Sequence, residues 1–303
     1  MIRALPLAAV LACALPAAAQ EGSLDVLDGE TLYEGGWLLT LGYELEQREG
    51  LRSGSGRVSD PLHRELIDQT VAFGAHYGLR YDVQLSAIIP YISRSLEFDD
   101  PTGPDRIRAE GFGDAAFVVK WRYYRWDDVG KAMNFAVLGG VEVPSGDDDV
   151  EDHGVRVPSE FQPGSGSWDA SLGTAATYEP GRWRFNAALL YQRNGKGAED
   201  FKFGDELFGE IAVGNRFWLE PYPGPFMRLD ALLRYRSQAR STQGGNPDPD
   251  SGGNWLTAGA TLAFRPRPTL DIQVFVEYPV YQNLEGTQLE EDLSVFFAVG
   301  LRL

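Results

Sequence analysis

Asp292–Leu303 reads DLSVFFAVGLRL. Within it Leu293, Val295, Phe297, Val299, Leu301 and Leu303 alternate with Ser294, Phe296, Ala298, Gly300 and Arg302. Successive strand side chains point to opposite faces, so this stretch presents one wholly apolar face and one that is mostly small or polar. An apolar face carried to the last residue suits a strand against lipid. The edge of a soluble β-sandwich is the competing reading, and the rest of the chain decides between them.

The same period of two recurs eleven times upstream. Trp37, Leu39, Leu41, Tyr43 and Leu45 oppose Thr40, Gly42, Glu44 and Glu46 in the first strand, and Met227, Leu229, Ala231, Leu233 and Tyr235 oppose Arg228, Asp230, Arg234 and Arg236 in the ninth. The third strand is irregular, because its polar face also carries Ile88 and Pro90; Pro90 must sit where no ladder donor is needed. Long polar connections are expected near 49–63, 98–110, 145–166, 194–205, 239–253 and 282–291. Shorter ones are expected near 79–82, 124–132, 179–182, 218–225 and 265–269. Bacterial outer-membrane barrels have an even strand count, short periplasmic turns and long outer loops. The pattern therefore predicts an all-β fold, a transmembrane antiparallel β-barrel of about 12 strands over 37–303, with both termini periplasmic. That orientation gathers Trp37, Tyr77, Trp121, Trp183 and Phe264 at one rim and Tyr91, Trp168, Tyr191, Tyr235 and Tyr278 at the other. Amphipathic rings prefer membrane interfaces, whereas a soluble sandwich has no reason to place aromatics at strand ends.

Ahead of the barrel, Met1–Ala19 has the charged start (Arg3), short apolar run and small-residue cleavage site of a secretory signal peptide. Residues 20–36 are acidic and aperiodic, and are expected as a periplasmic N-terminal segment or a plug in the barrel mouth. The 303 residues carry a formal net charge of −17, which argues against nucleic acid as a partner, since neutralising phosphates needs basic patches. The one cysteine, Cys13, falls in the leader, so the mature chain has no disulfide or thiol chemistry.

Three segments carry a resemblance: Gly111–Tyr124 (GFGDAAFVVKWRYY), Val141–Asp149 (VEVPSGDDD) and Gly164–Asp169 (GSGSWD). Together they resemble the outer-membrane family named for the meta-cleavage pathway of phenol degradation, with Ser145 where that family usually has Thr. The resemblance implies a transporter-like uptake channel for small solutes, aromatic or hydrophobic compounds among them. The C-terminal strand is similar to the closing strand that the barrel-assembly machinery reads, with Leu303 in place of the usual Phe. Membrane lipids and surface lipopolysaccharide are the other expected partners.

Pore-lining candidates are the charged residues on inward faces: Glu44, Asp68, Asp114, Lys120, Arg122, Glu142, Arg228, Asp230, Arg234, Arg236 and Glu277. Their charges either satisfy one another or orient polar solutes. Arg228, Arg234 and Arg236 share one inward face and are expected to form a constriction with a transverse field. No cofactor or metal is expected: the acidic loop 146–152 lacks an EF-hand pattern and is read as a solvated loop. Two alternatives stand beside the channel. One is a non-conducting structural or assembly-partner barrel. The other is a lipid-modifying enzyme, which would need a His–Ser arrangement facing lipid, whereas His76 falls on the lumen register.

Overall fold

The computed structural model describes residues 26–100 and 103–303, so the expected signal peptide lies outside the described residues. Ten strands follow in order: β1 Trp37–Gly54, β2 Glu65–Arg80, β3 Val83–Asp100, β4 Ala115–Asp128, β5 Lys131–Val143, β6 Asp169–Pro180, β7 Trp183–Arg193, β8 Glu206–Leu219, β9 Phe226–Gln238 and β10 Gly253–Arg267. A final run, Leu270–Arg302, pairs antiparallel both with β10 and with β1, closing the ring. An all-antiparallel ring closes only on an even number of crossings, because each crossing reverses direction. The 33-residue run meets this condition by folding back. Its first limb, β11 (270–284), pairs with β10; its second, β12 (287–302), pairs with β1. Gly286, at φ 69°, makes the turn. Gln282 Nε2 donates to the Glu291 carbonyl at 2.7 Å, and Glu291 N donates to Gln282 Oε1 at 3.0 Å, joining the limbs. Ten strands plus two limbs give the twelve crossings expected.

The start of β1 meets Leu303 at one rim, where Trp37 N donates to the Leu303 carbonyl (3.1 Å) and Leu303 N to that of Trp37 (2.9 Å). The tight turns lie at the same rim: 81–82, 129–130, 181–182 and 268–269. Gly130 (φ 69°) and Gly181 (φ 64°) supply the left-handed backbone that two-residue hairpin turns require. The alternation of the closing strand holds throughout: Leu293, Phe297 and Leu301 are exposed to the outside, while Ser294, Phe296 and Ala298 are buried inside. Aromatics gather at the rims, with Trp37 and Tyr77 ring centroids 4.7 Å apart at the inner one and Trp168, Tyr191, Tyr235 and Tyr278 exposed toward the outer one.

Several expected loops are instead strand. β1 runs on to Gly54, and Gly56–Val58 folds back on it. Gly103–Phe112, expected within a loop, pairs with the outer half of β3 from Tyr91↔Phe112 to Asp100↔Gly103. β4 then pairs with the inner half of β3, as far as Ile88↔Ala116. Pro90 sits at this change of partner, its carbonyl accepting from Gly113 N at 2.9 Å, so its missing donor costs the ladder nothing. Residues 282–291 are likewise a strand hairpin. Polar composition made these stretches look like loops, but their polar groups bond to each other across the outer rim: Glu290 pairs with Arg52 (2.6 Å) and Arg57 (2.5 Å).

The loop between β5 and β6 folds inward rather than outward. Phe161 is fully buried and Gln162 is 2% exposed. Asp114 anchors this loop: its Oδ1 accepts from Ser145 N (2.9 Å) and Gly146 N (2.8 Å), and its Oδ2 from Ser165 N and Oγ (both 2.7 Å). The approach is close enough that a Cβ on Gly146 would lie 2.6 Å from the Gly113 carbonyl carbon. The three motif segments of the sequence therefore form one knot.

Candidate functional site

The barrel lumen is layered along its axis. Alternation sends every second residue inward, and the inward residues change character with height.

At the outer level a cavity of about 120 Å³ is bounded by Glu44, Glu46, Arg48, Asp68, Arg94, Glu142, Arg234, Arg236, Glu277 and Glu291, together with Gln162 and Pro163 of the folded-in loop. Most charges here are paired. Arg234 Nε donates to Glu210 Oε2 (2.7 Å) and its Nη1 to Glu277 Oε2 (3.1 Å). Arg236 pairs with Glu291, and Arg94 donates to Asp68 Oδ2 (2.9 Å) and to the Gln162 carbonyl (2.9 Å). Aromatic faces hold the guanidiniums in place: Arg234 lies 4.3 Å from the Phe275 ring centroid and Arg236 lies 4.2 Å from that of Trp255. Glu142 is 2% exposed, and its Oε2 has no hydrogen-bond partner among the described residues.

Below this the lumen lining turns apolar, in a band we term the waist. One side is built from Leu232, Phe275, Phe296 and Ala298. The other is built from Ala72, Ile88, Ala116, Val118, Leu138, Ala175 and Ala188, with Val26 of the N-terminal segment packed among them.

At the inner level a cavity of about 300 Å³ is bounded in part by arginines, namely Arg122, Arg125, Arg184, Arg216, Arg228, Arg265 and Arg302, with Glu30, Asp127 and Asp271 among them and apolar or uncharged side chains making up the rest. The N-terminal segment enters here. Lys120 Nζ, on a side chain 1% exposed, donates to Asp28 Oδ1 (2.8 Å) and to the Glu30 carbonyl (2.8 Å). Arg184 donates to Asp28 Oδ2 (2.8 Å) and Glu30 Oε2 (2.8 Å). Backbone contacts complete the fit: Gly29 N donates to Thr177 Oγ1 (2.9 Å), Leu32 N to Gln84 Oε1 (3.0 Å), and Asn186 Nδ2 to the Leu27 carbonyl (3.0 Å). A Cβ on Gly29 would lie 2.5 Å from the Asn134 carbonyl oxygen.

All eleven pore-lining candidates thus project inward, but they do not form one site. Arg228 bounds the inner cavity and pairs with Asp230 (2.8 Å), whereas Arg234 and Arg236 bound the outer one. The expected single arginine constriction is corrected: Leu232 lies between Arg228 and Arg234 on the same face, at the waist. Glu44, Asp68, Asp114, Glu142 and Glu277 belong to the outer level; Lys120, Arg122 and Asp230 face the waist and the inner level. Asp114 is a loop anchor. Phe208, Phe275, Phe296 and Trp255 also face inward, and sequence reasoning named none of them as pore-lining, although it had placed Phe296 on the inward register. Their signal was an aromatic on the polar register, which alternation alone treats as noise.

Within the acidic loop, Asp147 Oδ2 accepts from Phe112 N (2.7 Å), a structural role, and no group of three or more ligand-type side chains among the described residues is arranged to hold a metal. His76 is fully buried in the lumen wall, its Nδ1 2.8 Å from Ser86 Oγ and its Nε2 3.4 Å from Thr40 Oγ1. This His–Ser pair faces away from lipid.

No curated protein matches the chain. Among solved structures it is similar to an outer membrane channel from Pseudomonas putida F1, with a TM-score of 0.69 and 13% identity over 93% of this chain and 100% of that one. The transport unit of the autotransporter AIDA-I from Escherichia coli is a looser likeness, with a TM-score of 0.47 and 9% identity over 94% of each chain. The first of these likenesses shows the fold, which is that of a Gram-negative outer-membrane barrel. The family model described as the putative MetA-pathway of phenol degradation matches residues 66–289, most of the chain, and this chain belongs to that family.

Proposed function

We propose that the protein is a passive outer-membrane channel for small solutes with substantial apolar surface, aromatic compounds among them. The observation that carries this reading is the layered lumen. Two polar cavities lie on either side of a waist whose wall is apolar, and Val26 and Leu27 of the N-terminal segment pack into one side of that wall. A hydrophilic porin has no use for an apolar waist, since it penalises the polar solutes that the rims admit. The description of the family, which names phenol degradation, agrees with this reading.

Residues 26–36 act in this reading as a plug docked from the periplasmic side. The enzyme alternative loses support from the placement of His76 and Ser86 on the lumen side, away from any lipid substrate. Uptake of toluene and of a sugar of similar size into proteoliposomes tests the proposal. Toluene uptake above that of protein-free vesicles, with little sugar uptake, is expected. Equal rates for the two, or toluene uptake no higher than that of protein-free vesicles from a protein lacking residues 26–36, would overturn it in favour of a porin or of a non-conducting barrel.

A further inference from the structure

The two residues that hold the plug form a receptor whose shape can be read from what fills it. Lys120 and Arg184 take one oxygen each of the Asp28 carboxylate, at 2.8 Å in both cases. Immediately ahead of that carboxylate, Val26 (1% exposed) and Leu27 occupy the apolar waist among Ile88, Val118 and Leu138. The segment thus presents an apolar body followed by a carboxylate head, in a slot that is apolar above and cationic below. Paired hydrogen bonds from two cations to one carboxylate are among the stronger polar contacts. A buried ammonium such as that of Lys120 also needs its charge compensated, because an uncompensated buried charge is costly.

We infer that Asp28 stands in for a ligand, and that the Lys120–Arg184 pair is a binding site for an organic carboxylate with an apolar body, which competes with the N-terminal segment. The inference rests on the channel reading and narrows its solute class: such an acid displaces Val26–Asp28, seats its head on the two cations, and in doing so unplugs the waist.

The test measures binding of 3-phenylpropionate to the full-length protein in detergent by calorimetry, with 3-phenylpropan-1-ol as the neutral counterpart. In wild type the tethered carboxylate competes, so apparent affinity is reduced by the small fraction of unplugged protein. Asp28→Ala removes the competitor and should tighten binding of the acid about tenfold or more. Adding Lys120→Met should abolish it, and the alcohol should bind no protein comparably. The double variant removes both charges together; if it does not assemble, as judged by heat-modifiable mobility, Asp28→Ala with Lys120→Gln takes its place. An affinity in Asp28→Ala no higher than in wild type overturns the inference, as does acid binding that survives loss of Lys120 or alcohol that binds equally well. Toluene uptake by the same proteins separates the two levels. Uptake without acid binding removes the carboxylate site and leaves the channel, whereas acid binding without any uptake removes the channel and leaves the site.

Discussion

Arg228 and Arg234 project from the same face of β9, yet each serves a different cavity. Arg228 pairs with Asp230 at 2.8 Å at the inner level, and Arg234 pairs with Glu210 at 2.7 Å at the outer one. Leu232, 8% exposed, separates them within the waist. Replacing Arg234 and Arg236 together by Ser should therefore leave Glu210, Glu277 and Glu291 without these cations and shift the outer cavity toward cations. In reconstituted bilayers under a salt gradient, the reversal potential should move to a more cation-selective value. Arg228→Ser, which acts at the other level, should not reproduce the shift. Equal shifts from both would restore a single constriction.

Val26→Asp places a carboxylate in the apolar waist, among Ile88, Val118 and Leu138. Burial of an unpaired charge costs several kcal/mol, more than the segment's contacts there return. The segment should leave, and single-channel conductance should rise above wild type. Unchanged conductance would show that the segment does not limit the pore.

Leu233 and Val274 face lipid, and Thr261 faces the lumen opposite Asp230. Leu233→Arg and Val274→Arg should each cost about 2–4 kcal/mol near mid-bilayer. Thr261→Arg should cost less. Heat-modifiable mobility of outer-membrane fractions reads the folded share; three equal losses would refute the face assignment.

Asp114→Ala should loosen the folded-in loop. Its carboxylate accepts from two backbone amides on one oxygen, and from Ser165 N and Oγ on the other. A hydrogen bond to a charged group contributes roughly 1.5–3 kcal/mol. Loss of the set should expose residues 144–168 to external protease while the barrel itself still assembles. A loop as resistant as in wild type would remove Asp114 as its anchor.

Orientation is checked by labelling intact cells with an impermeant thiol reagent. Cysteine at Asp149 or Pro247, exposed in outer loops, should react. Cysteine at Val129, 95% exposed in a tight turn at the rim where Trp37 meets Leu303, should not. The reverse pattern would invert the barrel.

The fold was largely legible because a membrane barrel imposes one strict rule, that side chains alternate between lipid and lumen. The twelve crossings, the lipid-facing residues and the aromatic rims all follow from it, and each was readable from Trp37 to Leu303 without coordinates. Loop lengths were less legible. Residues 103–112 and 282–291 are polar and look unpaired, but at the outer rim polar residues satisfy one another across strands, as Glu290 does with Arg52.

By itself, then, the sequence determined which residues face inward, since that depends only on parity along each strand. Only the tertiary structure decided which inward residues share a level, because register between strands sets height and no local pattern encodes it. That is why Arg228 parted from Arg234. It is also why Phe275 and Phe296, 21 positions apart, met Leu232 in one waist. And it is why an acidic stretch expected as a periplasmic segment or a plug came to rest with Asp28 between Lys120 and Arg184, two buried cations that its carboxylate compensates.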